Sequence, residues 1–139
     1  MSSTDINNTG KYYVSVTGLA TKSILTTPKF FYYTAPAYTA AEQAQGNISS
    51  SRLSYEGIYM TITLWENKEV MRNYFRGEAH VAAMKQLKAV SSYAKIHGYF
   101  ADEIPSNSDA IEAWKTGGRR VHGEPKPIYG DVAEPSSMS

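Results

Sequence analysis

The segment from Ile58 to Trp65 most constrains the fold, because it alternates Ile58, Met60, Ile62 and Leu64 with Tyr59, Thr61, Thr63 and Trp65. Period-two patterning marks a strand, since successive side chains leave a pleated backbone on opposite faces. One face is aliphatic and the other carries hydroxyls and aromatic rings, so each needs its own cover. The strand is expected to begin near Leu53. Lys11 to Thr17 repeats the split, with Tyr12, Val14 and Val16 against Tyr13, Ser15 and Thr17, and Gly18 is expected to end it. Tyr93 to Phe100 repeats it again, sorting Ala94, Ile96 and Phe100 from Tyr93, Lys95, His97 and Tyr99.

Helical spacing separates these strands. Pro28 to Gly46 sets alanines and aromatics at helical intervals, helical at least from Pro36, and Pro36 either opens a short helix or kinks one begun near Pro28. Asn67 is placed to cap a helix whose apolar face is Val70, Met71, Tyr74 and Phe75. Gly77 interrupts it, and the pattern resumes with His80, Ala83, Met84, Leu87 and Val90 on one stripe. A short helix from Asp109 to Thr116, capped by Ser106, Asn107 or Ser108 and closed by Gly117-Gly118, precedes a further strand at Arg119 to His122.

This order suits an α+β domain with an antiparallel sheet. At 139 residues and 42% hydrophobic content the chain supports one core, expected over residues 11–122, with flexible tails at 1–10 and 123–139. Fourteen basic and thirteen acidic residues, spread without blocks, give no field to gather nucleic acid. The chain has no cysteine, which excludes thiolate metal sites and cysteine nucleophiles. No apolar run reaches the roughly 18 residues of a membrane span, and a cytoplasmic protein is expected. No phosphate-binding glycine loop or nucleophile elbow is present.

Helices on one side of such a sheet are expected to cover the aliphatic face. The other face, with Tyr59, Trp65, Tyr93 and Tyr99, is too aromatic to leave in water, so it is expected to meet a second copy. Two facing sheets would then enclose a pocket for a hydrophobic or aromatic small molecule, lined by Tyr13, Tyr59, Thr61, Thr63, Trp65, Phe75, Tyr93 and Tyr99.

The run from Trp65 through Glu66-Asn-Lys-Glu-Val-Met71-Arg-Asn-Tyr-Phe75, followed by Gly77-Glu-Ala-His80 and Met84, resembles the signature of spheroidene-monooxygenase-like proteins. Tyr13 to Leu19, Pro28 with Phe30, and Pro105, Ala110, Trp114 and Gly118-Arg119 extend the resemblance over about residues 11–122. Those proteins belong to the dimeric α+β barrel, antibiotic-biosynthesis-monooxygenase-like superfamily. The resemblance implies a ferredoxin-like protomer, a homodimer, and oxygenation or rearrangement of hydrophobic metabolites, in one member with haem.

His80 is the leading candidate residue, either as a haem axial ligand, with Met84 and Arg119 as further cofactor contacts, or as a general base. A histidine merely packed in the core is the competing reading. His97 is a second candidate for proton transfer, and Arg119 with Arg120 could meet a carboxylate, a haem propionate or a partner's acid. Three histidines without short spacing give little support to a non-haem metal centre. The function expected is a monooxygenase-like tailoring enzyme, with a cofactor-independent cyclase or isomerase, or a non-catalytic haem or ligand carrier, as alternatives.

Overall fold

A computed structural model describes residues 10–123. Five strands, β1 (Tyr12–Thr21), β2 (Asn47–Tyr55), β3 (Ile58–Trp65), β4 (Ser91–Ala101) and β5 (Arg119–Gly123), form one antiparallel sheet in the order β2-β3-β1-β4-β5. The helices are α1 (Thr27–Gln43), α2 (Lys68–Phe75), α3 (Glu78–Val90) and α4 (Asn107–Gly117). This is a ferredoxin-like α+β fold. The expected tails lie outside the described residues, apart from Gly10 and Gly123, and Gly123 closes β5.

Local chemistry explains the element ends. The Asn67 side chain accepts from Val70 N–H at 3.0 Å to start α2, and Ser106 does the same for Asp109 N–H at the start of α4. Gly77 caps α3 in extended backbone, which turns the chain between two helices. In α1 the longer alternative holds: Pro28 lies in the first turn, where a missing N–H costs nothing, and Pro36 is inside the helix on its exposed side.

Two strand boundaries differ from expectation. β1 runs through Gly18 to Thr21, because Gly18 is a point of close approach and not a terminator: a Cβ there would stand 2.5 Å from the Trp114 ring. The stretch expected as one strand from Leu53 is a hairpin. β2 and β3 are joined by Glu56 and Gly57, both at positive φ (48° and 85°), the two-residue turn that matches strand twist.

The register settles the faces. Val14, Val16 and Gly18 on β1 stand beside Leu64, Ile62 and Met60 on β3, and Val14, Val16, Gly18 and Ala20 stand beside Tyr99, His97, Lys95 and Tyr93 on β4. This mostly aliphatic face packs on α4 through Ala110 and Trp114. Trp114 is fully buried and its indole N–H donates to the Lys95 carbonyl at 2.8 Å, while the Lys95 ammonium lies 4.7 Å over the same ring and donates to the Lys115 carbonyl. The opposite face, with Tyr13, Ser15, Thr17 and Leu19 beside Trp65, Thr63, Thr61 and Tyr59, lies under α1, α2 and α3.

A helix, α4, covers the aliphatic face as expected, and the expectation for the other face is corrected. The hydroxyl and aromatic face belongs to the protomer's own helices, so a pocket between two facing aromatic sheets does not form. β4 is also out of phase with the grouping by residue type: Tyr93, His97 and Tyr99 share a face with the aliphatic residues, and Phe100 shares one with Tyr13.

Candidate functional site

Between the hydroxyl-bearing face and the three helices lies a cavity of about 300 Å³, at the small end of the ~300–1,000 Å³ range of small-molecule sites. Its floor comes from β1, β2 and β3, including Ser15, Thr17, Thr61 and Thr63. Rings form much of its wall. Tyr59 packs with Phe30 and Phe31 at centroid distances of 5.3 and 4.9 Å, tying the floor to the first turn of α1.

His80 lies in this wall, in the first turn of α3. Its ring stacks on Phe75 with centroids 4.3 Å apart and 9° between planes, and meets Tyr74 edge-on at 5.2 Å. Burial pushes its pKa below the ordinary 6.5, opposed in part by a hydrogen bond to the Phe75 carbonyl. The imidazole is therefore neutral at pH 7, with one nitrogen donating to Phe75 and the other keeping its lone pair. The break at Gly77 produces this arrangement, since it turns α3 so that its first turn faces the last turn of α2.

A rigid shell stands behind the cavity. The Tyr74 phenol donates to the Ala37 carbonyl at 2.7 Å, its ring stacks on Trp65 at 5.4 Å, and burial raises its pKa to about 12. Trp65 is fully buried and donates to the Thr63 hydroxyl at 2.8 Å, which in turn reaches the Ser15 carbonyl at 3.5 Å. Thr63 is thus held by the protein. The side-chain hydroxyls of Thr17 and Thr61, also on the floor, make no hydrogen bond to another group among the described residues.

The structure brings together Tyr59, Thr61, Thr63, Phe75, His80 and Met84 around one cavity. Tyr13 and Trp65 lie just behind it, in a cluster with Ala41 and Met71. Tyr93, His97 and Tyr99 are on the other side of the sheet: His97 stacks on Tyr99 at 5.2 Å and bonds the Gly117 backbone, while burial lowers its pKa. They are not part of this site. Arg119 is exposed on the far edge strand, separated from Thr17 by Ile96.

Sequence reasoning missed Arg52, which lies on the cavity rim with its guanidinium 4.1 Å over the Tyr38 ring. The signal that could have found it is the Glu56-Gly57 turn, which makes Asn47 to Tyr55 a strand and fixes Arg52 opposite Thr61.

The residues present do not fit haem. The cavity is too small for a macrocycle with its propionates, and Met84 follows His80 by one helical turn, so both would approach from one side. Among the described residues no group of three or more His, Asp or Glu is placed to hold a metal ion. No helix among them is long and apolar enough to cross a membrane.

The antiparallel sheet with three helices over its cavity face is a ferredoxin-like α+β fold that solved structures share. SnoaB, a cofactor-independent oxygenase from Streptomyces nogalater, shares it with a TM-score of 0.58 at 13% identity, over 68% of this chain and 97% of that one. A Nitrosomonas europaea protein named for the antibiotic biosynthesis monooxygenases gives 0.60 at 12%, over 66% and 91%. PA3566 from Pseudomonas aeruginosa gives 0.58 at 8%, over 69% and 97%. No protein-family profile and no curated protein matches the sequence.

Proposed function

We propose that this protein is a monooxygenase-like tailoring enzyme that works on a hydrophobic, aromatic metabolite in the cavity and uses His80 as its base. One observation carries the reading: a half-buried, neutral histidine, anchored through one nitrogen to the Phe75 carbonyl, stands in the wall of an aromatic cavity floored by hydroxyls. The fold shared with SnoaB, a cofactor-independent oxygenase, supports it.

In this mechanism His80 accepts a proton from an acidic O–H or ring methylene of the substrate. The aromatic walls hold the resulting anion flat, and the Thr17 and Thr61 hydroxyls donate to its oxygen, where charge accumulates. The electron-rich anion reduces dioxygen and a carbon–oxygen bond forms. The protonated peroxide then loses water to leave a carbonyl, so one oxygen atom enters the product and the other leaves as water. A homodimer and a cytoplasmic setting belong to the same proposal.

The test is oxygen uptake by chelator-treated protein given an aromatic phenol with an acidic ring methylene. Uptake of one dioxygen per substrate consumed is expected. Turnover without oxygen consumption would replace the oxygenase with an isomerase or cyclase, and tight binding without turnover would leave a carrier. Light scattering tests the dimer, expected at about twice the 15.4 kDa chain mass.

A further inference from the structure

The pairing register sets Arg52, Thr61 and Thr17 in one row across the sheet, from the edge strand inward. All three line the cavity, and neighbouring strands are ~4.8 Å apart, so the row presents a cation and then two hydroxyls at nearly even steps. The guanidinium lies 4.1 Å over the Tyr38 ring and hydrogen-bonds the Tyr38 hydroxyl, which holds it at the rim; with five N–H donors it keeps others for a ligand. Glu42, one turn beyond Tyr38 on α1, is exposed, and Arg52 forms no ion pair among the described residues. The Thr61 and Thr17 hydroxyls are likewise unclaimed.

A cation stacked in place beside two unused hydroxyls is a receptor for an acid followed by a further oxygen. Resting on the reading of this cavity as the substrate site, we infer that Arg52 is a specificity determinant that selects an aromatic carboxylate. The acid meets the guanidinium in fork-to-fork geometry at the rim, and the ring system runs inward over Thr61 and Thr17 toward the aromatic wall. Arg52 takes no part in the proton transfer assigned to His80. It orients the ligand.

The experiment measures binding of naphthoic acid and of its neutral amide to native protein and to Arg52→Gln, Arg52→Lys and Ala83→Phe, with Ala83→Phe filling the cavity from α3. Arg52 is exposed on an edge strand, so its replacement leaves the fold intact. The acid is expected to bind native protein at least ~10-fold tighter than the amide, as a charge-assisted hydrogen bond provides. Arg52→Gln should abolish that preference without weakening the amide, Arg52→Lys should keep part of it, and Ala83→Phe should weaken both ligands. Equal affinity for acid and amide, with both lost in Ala83→Phe, would overturn the role of Arg52 and leave the cavity reading standing. Binding of neither, or binding indifferent to Ala83→Phe, would overturn both.

Discussion

His80 lies flat against Phe75, at 4.3 Å between ring centroids, and donates to the carbonyl of the same residue. One neighbour thus fixes both the plane and the protonated nitrogen of the imidazole. Because α2 ends at Phe75 and α3 begins at Glu78, the contact spans the Gly77 break and depends on it.

Both His80 and His97 have pKa values lowered by burial, so the folded state holds fewer protons than the unfolded chain as pH falls. Their contribution to stability is present above about 6.5, declines as pH drops through that value, and is gone below the folded-state pKa. Melting temperature measured against pH should fall on the acid side of 6.5. The His97→Gln variant should show a shallower fall.

Tyr74 shows the opposite sign. Its folded pKa of about 12 lies above the ordinary 10.0, so the stability it contributes is complete below pH 10 and is lost between 10 and 12. Tyr74→Phe should cost about 1 kcal/mol at neutral pH by denaturant titration, through the lost bond to Ala37. The same variant should lose less stability than native protein on going to high pH.

Gly18 faces the Trp114 ring, and an added methyl would stand 2.5 Å from it with Ile58 at 3.1 Å. Gly18→Ala is expected to destabilise by about 1–3 kcal/mol through overpacking, read from the denaturation midpoint. Asn67→Ala, which removes a cap and packs nothing new, should cost about 1 kcal/mol.

Part of this molecule can be read from its sequence and part cannot, for physical reasons. Asn67, Gly77 and the stripe from His80 to Leu87 announce α2 and α3, because caps and helical period act locally. Alternation in Ile58 to Trp65 shows that the two faces of β3 differ. It does not say which face the helices take: the hydroxyl face is covered because a cavity is built there, and the aliphatic face is covered by Trp114. The phase of β4 follows from long-range pairing, Val16 with His97 and Ala20 with Tyr93, which residue type alone misassigns. β2 is rich in serine and lacks the β-branched signature, so Arg52 was hidden with it.

The most direct test of His80 as base compares the rate of oxygen uptake in native protein and His80→Gln, alongside the affinity of each for naphthamide. The variant should lose about 10²–10⁴-fold in rate, as expected for a positioned base, while its affinity for the neutral ligand changes by less than about threefold. A variant that binds the ligand and turns over at the native rate would contradict the account.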